Sequence, residues 1–358
     1  LKKLDWYIIF KFLGTFLYTI LLFTAIAIVI DITEKIDDFL ENDLSFIFIV
    51  GNYYLHFVPW IVLMLSSLFV LISVVFFTSR LANNSEIIAM LSGGVSFNRL
   101  LVPYILTSML LTGVFLYFNH QVVPASNLAR FEFEDQYVRP VDKSRDRNFH
   151  LQIAPDTLMY LQNYTEQTQT GNKFTLEYFK ERDLKYKLSA DQIKWMGDSI
   201  GWELVNIVER KDIGWKEEIT EIKQDKRQLG FLPEILEEKV MLKETMTTPV
   251  LIDYIQEEKK RGGVNLDFFY VELYRRSTVP ASTLILTIIG VSLTTRRARG
   301  GMGIHIVAGI VLGALYIAML QFSVTFATKG NLDPLLASWL PNIVFAMISI
   351  WLLIRAPK

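Results

Sequence analysis

Three arginines, Arg130, Arg275 and Arg276, stand where long uncharged stretches of this chain end or begin. A guanidinium is a planar fork that donates two hydrogen bonds at once to a phosphate or carboxylate, so cations so placed suggest a specific partner. The competing uses are helix capping, contact with ordinary lipid phosphates, or pairing with Glu132, Glu134 or Glu272. A second candidate is Asn83-Asn84-Ser85-Glu86-Ile87-Ile88-Ala89-Met90-Leu91-Ser92-Gly93-Gly94, which reads as a short capped helix stopped by two glycines. Its single acid amid apolar residues fits two settings. Either the helix lies on a bilayer with Glu86 in water, or it plugs a groove on a partner protein. Bond-breaking chemistry finds no support. The chain has no cysteine, and His56, His120, His150 and His305 show no metal-ligand spacing. No G-x-x-x-x-G-K-[ST], H-E-x-x-H or G-x-S-x-G occurs.

The elements that must position these residues follow from charge. Six stretches lack any Asp, Glu, Lys or Arg: Phe12–Ile30, Leu44–Ser79, Leu100–Ala129, Ser277–Thr295, Gly300–Thr328 and Pro334–Ile354. About 20 apolar residues cross the hydrocarbon core as a helix. Lipid offers the backbone no other partner, so each stretch must be helical. Leu44–Ser79 and Leu100–Ala129 exceed a single crossing, which puts part of each at or beyond the interface. Lys2, Lys3 and Lys11 before Ala25-Ile26-Ala27 imitate a secretory leader, but the run continues to Ile30 and reads as an uncleaved first span. No carboxylate or lysine sits at mid-span, where an ion-coupled transporter would carry one.

Lys and Arg near span ends mark the cytoplasmic side. With six alternating helices, Lys2, Lys3, Lys11, Arg80, Arg99, Arg296, Arg297, Arg299, Arg355 and Lys358 fall on one side. The opposite side receives Asp31, Glu34, Asp37, Asp38, Glu41 and Asp43 with Lys35 as their lone cation, together with the segment between Arg130 and Arg276 that carries most of the charge. Both termini are expected in the cytoplasm and that insert outside. Arg275 and Arg276 run against the trend, at the outer end of the fourth span. A net charge of −1 gives no hint of nucleic acid.

Residues from about Asn148 to Leu242 read as short strands. Phe174, Leu176 and Tyr178 alternate with Thr175 and Glu177, and Leu184, Tyr186 and Leu188 alternate with Lys185 and Lys187. Trp195, Trp202 and Trp215 fall on further strands, with turns at Thr170-Gly171-Asn172, Met196-Gly197-Asp198 and Ile213-Gly214. An antiparallel sandwich or half-open roll is expected. A helix then returns to the membrane, with Thr248 as N-cap, Pro249 at N1 and Gly262 beyond its end.

The order of these parts resembles the LptF/LptG permeases of lipopolysaccharide export, the YjgP/YjgQ family. The matching residues are Leu4-Asp5-Trp6-Tyr7-Ile8, Ser85-Glu86-Ile87-Ile88-Ala89-Met90 with Ser92-Gly93, Val123-Pro124-Ala125, Asn127-Leu128-Ala129-Arg130, and Glu272-Leu273-Tyr274-Arg275-Arg276 followed by Pro280. Leu4-Asp5 is LptG-like, whereas the 329–334 segment is LptF-like. The resemblance implies an α-helical inner-membrane protein with six transmembrane helices and an inserted periplasmic all-β, jellyroll-like domain. Residues 1–129 would hold three helices, 130–262 the β domain and a linker helix, and 263–358 three more helices. It implies a non-catalytic ABC-transporter subunit that extracts lipopolysaccharide, paired with a second permease of the family. An LptB ATPase dimer would carry the ATP and Mg, this chain would need no cofactor, and LptC and LptA would form the periplasmic bridge. It assigns Ser85, Glu86, Ile87 and Met90 to ATPase coupling and Lys35, Arg130, Arg275 and Arg276 to the glycolipid. LptG-type members carry several lysines where this chain has Asp31, Glu34, Asp37 and Asp38, so a first-span phosphate clamp transfers poorly. The competing classes are a membrane-tethered receptor and a MacB/FtsX-like mechanotransmission subunit, which typically has four spans.

The orientation has a direct test, since the chain has no native cysteine. Cysteines placed at Ser85 and Ala298 should resist a membrane-impermeant maleimide in intact cells, and one at Asn172 should label. Labelling at Ala298 from outside overturns the six-span orientation.

Overall fold

The computed structural model describes residues 2–138, 149–154, 156–165, 168–180, 183–197, 200–212, 216–233, 243–261, 266–295, 302–330 and 332–356. Trp215, Asp198, the Ile213-Gly214 turn, Gly262, Lys358 and the basic loop around Ala298 lie outside them. Two compact units emerge. One comprises Leu1–Val138, Glu244–Pro249 and Asp267–Lys358, the other Arg139–Lys243 and Val250–Leu266.

The first unit is helical: α1 (Lys3–Glu41), α2 (Phe46–Ile49), a π-helical turn (Val50–Tyr54), α3 (Leu55–Met64), α4 (Ser66–Asn83), α5 (Glu86–Ser92), α6 (Phe97–Tyr117), a second π turn (Phe118–Val122) and α7 (Val123–Tyr137). After the insert and its linker helix α8 (Thr248–Arg261) come α9 (Asp267–Thr294), α10 (Met302–Lys329) and α11 (Pro334–Arg355). Helix starts carry the expected chemistry. Ser45 and Ser96 accept from the amides of Phe48 and Arg99, and Asp333 accepts from those of Leu335 and Leu336 with Pro334 at the first position.

Among the described residues, 7 helical segments are long and apolar enough to cross a membrane. Two of them, Phe46–Met64 and Ser66–Asn83, meet at Leu65. There the Leu65 amide still donates to Ile61 O (3.2 Å), and Leu65 O accepts from the Phe69 amide (3.0 Å). These two bonds flank a non-helical residue (Leu65 φ −103°, ψ 7°), so the two segments join at a sharp bend, and counted as one bent rod they leave six segments. The rods of the first half are long. At 1.5 Å per residue α1 measures about 58 Å against a hydrocarbon core of about 30 Å. The surplus lengths of α1, the first π turn with α3, and α7 pack on one another through Phe39, Tyr53, Tyr54, Phe57, Ile61 and Phe133. Arg130 therefore lies within α7 and not at a helix end, and Arg275 and Arg276 lie inside α9, more than two turns from its start.

The central rod is α4. Helices α9 and α10 approach it at glycines: a Cβ on Gly290 would fall 2.9 Å from Val74 Cγ1, and one on Gly313 would fall 2.5 Å from Leu68 Cδ1. Without a hydrophobic drive between helices in lipid, such close packing and interhelical hydrogen bonds hold the bundle. The bonds include Ser67 Oγ to Ser282 Oγ (2.6 Å), Tyr316 OH to Asn342 Oδ1 (3.0 Å) and Asn342 Nδ2 to Thr278 O (2.7 Å).

The second unit is one antiparallel meander of six strands in chain order: β1 (Phe149–Ala154), β2 (Thr157–Thr165), β3 (Thr170–Lys180), β4 (Asp183–Trp195), β5 (Trp202–Asp212) and β6 (Glu217–Arg227). From β2 to β6 one row of residues drops out of the ladder: Gln162, Lys173, Asp191, Asn206 and Lys223. The pairing on either side of the row keeps the same register. Lys173 and Asn206 take positive φ (52° and 54°), and Asn206 Nδ2 donates to Asp191 Oδ2 at 2.9 Å. Across the row the buried side chains change phase. Leu161 and Tyr164, Gly171 and Phe174, Ala190 and Ile193, and Leu204 and Ile207 are all buried three apart, where an unbroken strand buries every second residue. The row is a crease. It folds the sheet into two leaves that enclose Met159, Leu161, Phe174, Leu188, Ile193, Trp202 and Leu204. Arg227 pairs in register with Trp202, seven residues from Glu209 along β5, yet its guanidinium meets the Glu209 carboxylate. Only a folded sheet brings those two together, and the expected half-open roll is the result.

The contact at Gly290 is with a stiff β-branched side chain, whereas Leu68 can turn its Cδ1 away from Gly313. Gly290→Ala should therefore destabilise the detergent-solubilised protein by about 1–3 kcal/mol, the range for overpacking, and Gly313→Ala by less. Thermal unfolding of both variants checks the order.

Candidate functional site

Charged and polar groups of the helical unit gather at its two ends, about 39 Å apart if measured along α1 from Asp5 to Asp31 at 1.5 Å per residue. At the first end Asp5 accepts from the Lys2 amide (2.6 Å), completing the N-terminal turn, and from Arg99 Nη2 of α6 (2.6 Å). Beside it Tyr7 OH donates to Glu86 Oε2 at 2.8 Å, joining α1 to α5. The helix expected to be capped starts after Ser85, whose side chain makes no cap bond. Its backbone is left-handed (φ 60°), which turns the chain out of α4 and into α5. Ile87 is fully buried, and Met90 and Leu91 pack partly against the same cluster of Ile8, Phe97 and Leu100. Of the apolar residues on this helix Ile88 and Ala89 are exposed. The short helix thus covers most of its apolar side within its own chain.

At the other end Lys35 is committed. Its ammonium bonds Asp31 Oδ1 (2.9 Å), Glu134 Oε1 (3.0 Å) and the Tyr53 hydroxyl, and lies over the Tyr53 ring. Tyr54 OH donates to the other Asp31 oxygen at 3.0 Å. Asp31 and Lys35 are one helical turn apart, so they pair before anything else approaches. This saturates the cation that the sequence offers to a ligand. The network ties α1, the first π turn and α7 together, and Asp31, Tyr53, Tyr54 and Glu134 enter the site beside the residues expected from sequence.

One turn from Glu134, Arg130 is 5% exposed and stacks over Trp60 (3.9 Å to the ring centroid) and Phe131 (4.6 Å). Its Nε has no hydrogen-bond partner, and Glu134, Glu244 and Asp31 act on it through charge alone. Trp60 also lines a cavity of roughly 200 Å³ with Asn119, Asn127, Glu244, Arg275 and Arg276. Glu272 pairs with both arginines at 3.2 Å, and Arg276 Nη1 donates to Thr248 Oγ1 at 3.0 Å. His120, in the second π turn, contacts Thr248 Oγ1 (2.8 Å) and Ser277 Oγ (3.3 Å). The four expected cations therefore share one end, and the structure sorts them. Lys35 is neutralised, Arg275 and Arg276 are held at the cavity by one glutamate, and Arg130 keeps a spare donor behind Trp60. Chemically this is a largely apolar pocket whose two forked donors are already paired with one carboxylate. No cluster of His, Asp and Glu suited to a metal occurs among the described residues.

A sequence model of the lipopolysaccharide export system permease LptF/LptG matches residues 6–355, essentially the whole chain. No curated protein sequence matches it.

Removing the Lys35 ammonium leaves the Asp31 and Glu134 carboxylates, 11% and 14% exposed, without their shared cation. Lys35→Met should cost about 1–3 kcal/mol, the penalty for stranding buried acceptors. Lys35→Met/Glu134→Gln should recover part of it, and thermal unfolding of the two variants measures the coupling.

Proposed function

The chain belongs to the LptF/LptG family of lipopolysaccharide export permeases and is a multi-pass inner-membrane transport component. From that premise we propose that it is one of two paired permeases in an ABC transporter that extracts lipopolysaccharide and hands it to a periplasmic bridge of LptC and LptA. The observation that carries the reading is the cavity where Arg275 and Arg276 meet, with Arg130 and its unused donor stacked behind Trp60. Phosphates on a glycolipid head would draw the arginines away from Glu272, and the apolar cavity wall would receive the first acyl segments.

ATP and Mg belong to an LptB dimer in this reading, and the chain supplies α5 to it. Docking would fall on the exposed side that includes Ile88. Glu86, tied to Tyr7, would pass the movement of α5 into α1, while Ile87 and Met90 would fasten α5 to the bundle. The end that carries Lys2, Lys3, Lys11, Arg80 and Arg99 is then cytoplasmic, with both termini, and the folded sheet is periplasmic.

Purification in mild detergent should bring down an ATPase whose vanadate-sensitive hydrolysis responds to lipopolysaccharide. In that complex Arg130, Arg275 and Arg276 should follow a graded series. Lysine retains the charge and loses the fork, so each Lys variant should weaken crosslinking of lipopolysaccharide to a photoreactive group beside Arg130, and each Ala variant should weaken it more. Unchanged crosslinking and hydrolysis with alanine at all three positions would move the phosphate site to the partner permease.

A further inference from the structure

The cavity beside Trp60 has a wall that does not come from a long helix. Six residues, Glu244–Pro249, belong to the helical unit although the chain before and after them belongs to the other. Three polar contacts hold this short segment. Glu244 O accepts from Asn127 Nδ2 at 3.2 Å, and Thr248 Oγ1 accepts from Arg276 Nη1 at 3.0 Å and meets His120 Nδ1 at 2.8 Å. Asn127, Glu244 and Arg276 all line the cavity, and Asn127 Oδ1 is buried without a hydrogen-bond partner. The segment is thus fastened by groups that an occupant of the cavity would touch.

The charges of the lining balance. Arg275 and Arg276 face Glu272 and Glu244, and the two glutamates are held differently. Glu272 precedes the arginines by three and four residues on α9 and pairs with both at 3.2 Å. The helix keeps it in place even as the arginines turn toward another anion. Glu244 is half-buried, and its carboxylate makes no hydrogen bond or ion pair among the described residues. Its charge nonetheless bears on Arg275 and Arg130. An anion entering the cavity therefore adds a negative charge where the balance is already met. Like charges repel strongly in a largely apolar pocket, and Glu244 is the carboxylate whose segment can give way. The same anion draws Arg276 from Thr248 and loosens the second hold.

We propose that Glu244 is an internal anion that occupies the cavity's arginines until a phosphate-bearing head displaces it, releasing the Glu244–Thr248 segment from α7 and α9. The ligand class follows from the contacts the segment gives up. Arg276 recovers a forked donor for phosphate, and the Asn127 amide, its nitrogen freed and its oxygen unused, suits a sugar hydroxyl or amide. A zwitterionic phospholipid head brings no net charge and leaves Glu244 in place, so the segment discriminates against bulk lipid. The device rests on the export reading only for the lipid that carries the phosphate. By linkage, whatever frees the segment must also tighten binding.

The chain has no native cysteine, so a cysteine at the half-buried Thr247 reports the segment through its rate of reaction with a maleimide. Full-length protein in phosphatidylcholine nanodiscs is titrated with lipopolysaccharide, with the same lipid after dephosphorylation, and with inorganic pyrophosphate. Saturating lipopolysaccharide should speed labelling of Thr247→Cys about tenfold, and the dephosphorylated lipid should not. Measured against empty nanodiscs, Glu244→Gln should bind lipopolysaccharide about tenfold more tightly than wild type, and Glu244→Asp about as wild type does. Thr248→Val should tighten binding too, with no change of charge. Pyrophosphate that speeds labelling as lipopolysaccharide does assigns the competition to phosphate alone. Pyrophosphate that fails where lipopolysaccharide succeeds assigns it to the lipid-borne head, and both results support the internal anion. Unchanged labelling at saturating lipopolysaccharide overturns it, as does equal affinity of wild type and a folded Glu244→Gln. Should Glu244→Gln fail to fold, the labelling of Thr247→Cys decides. A wild type that binds no lipopolysaccharide overturns the export reading instead. Pyrophosphate then decides Glu244: tighter binding by Glu244→Gln supports the internal anion, and equal binding or none overturns it.

Discussion

Hydrocarbon leaves no water to satisfy a stray charge or a free amide, and that constraint governs where every ionic group of the helical unit can sit. The rods carry their charges at their ends, and the buried ones there are mostly paired. Asp5 with Arg99 closes one end of α1, and Asp31, Lys35 and Glu134 close the other. Between those anchors α1 presents mostly apolar surface, with Leu17, Tyr18, Leu21, Ile26 and Val29 exposed. Its inner flank packs Ile8, Phe12 and Phe16 into the bundle, and Ser73 of α4 donates to Thr19 Oγ1 at 3.1 Å.

The exception is Arg130, whose positive charge rests on aromatic faces and on carboxylates that do not touch it. Cation–π contact supplies part of what a hydrogen-bonding partner would. What remains is a buried Nε donor without a hydrogen-bond partner. Both π-helical turns, Val50–Tyr54 and Phe118–Val122, occur in the same part of the unit. Each widens a rod by one residue where Tyr53 and His120 must reach partners on other helices.

Much of this was open to a reader of the sequence. The six uncharged runs are a direct consequence of hydrocarbon thickness, and Thr248-Pro249 marks the linker helix because N-cap and first-turn preferences are local. What stayed hidden depends on the tertiary setting. Asp31 and Lys35 are spaced for an ion pair, but nothing local says that Glu134 and Tyr53 complete it, so Lys35 looks available. Ser85 has the composition of a cap, yet the reversal from α4 to α5 demands a left-handed residue there, and backbone geometry prevails over side-chain preference. In the sheet, alternation was legible within each leaf, as in Phe174, Leu176 and Tyr178. The change of phase leaves a mark, buried residues three apart in successive strands, that emerges only once the strands are aligned side by side.

The crease also bears on how the sheet behaves toward other sheets. An unbroken β6 of 11 residues would present a straight rim of unpaired amides and carbonyls about 36 Å long at 3.3 Å per residue. Exposed rims of that kind template pairing with foreign strands. Folding at Lys223 divides the rim into two short segments that face different directions, and the Arg227 contact with Glu209 holds them so. A foreign strand can then match one segment at a time, over about five residues, too few to persist alone in water. The bend that encloses the core of the sheet thus also keeps it from sticking to its own kind.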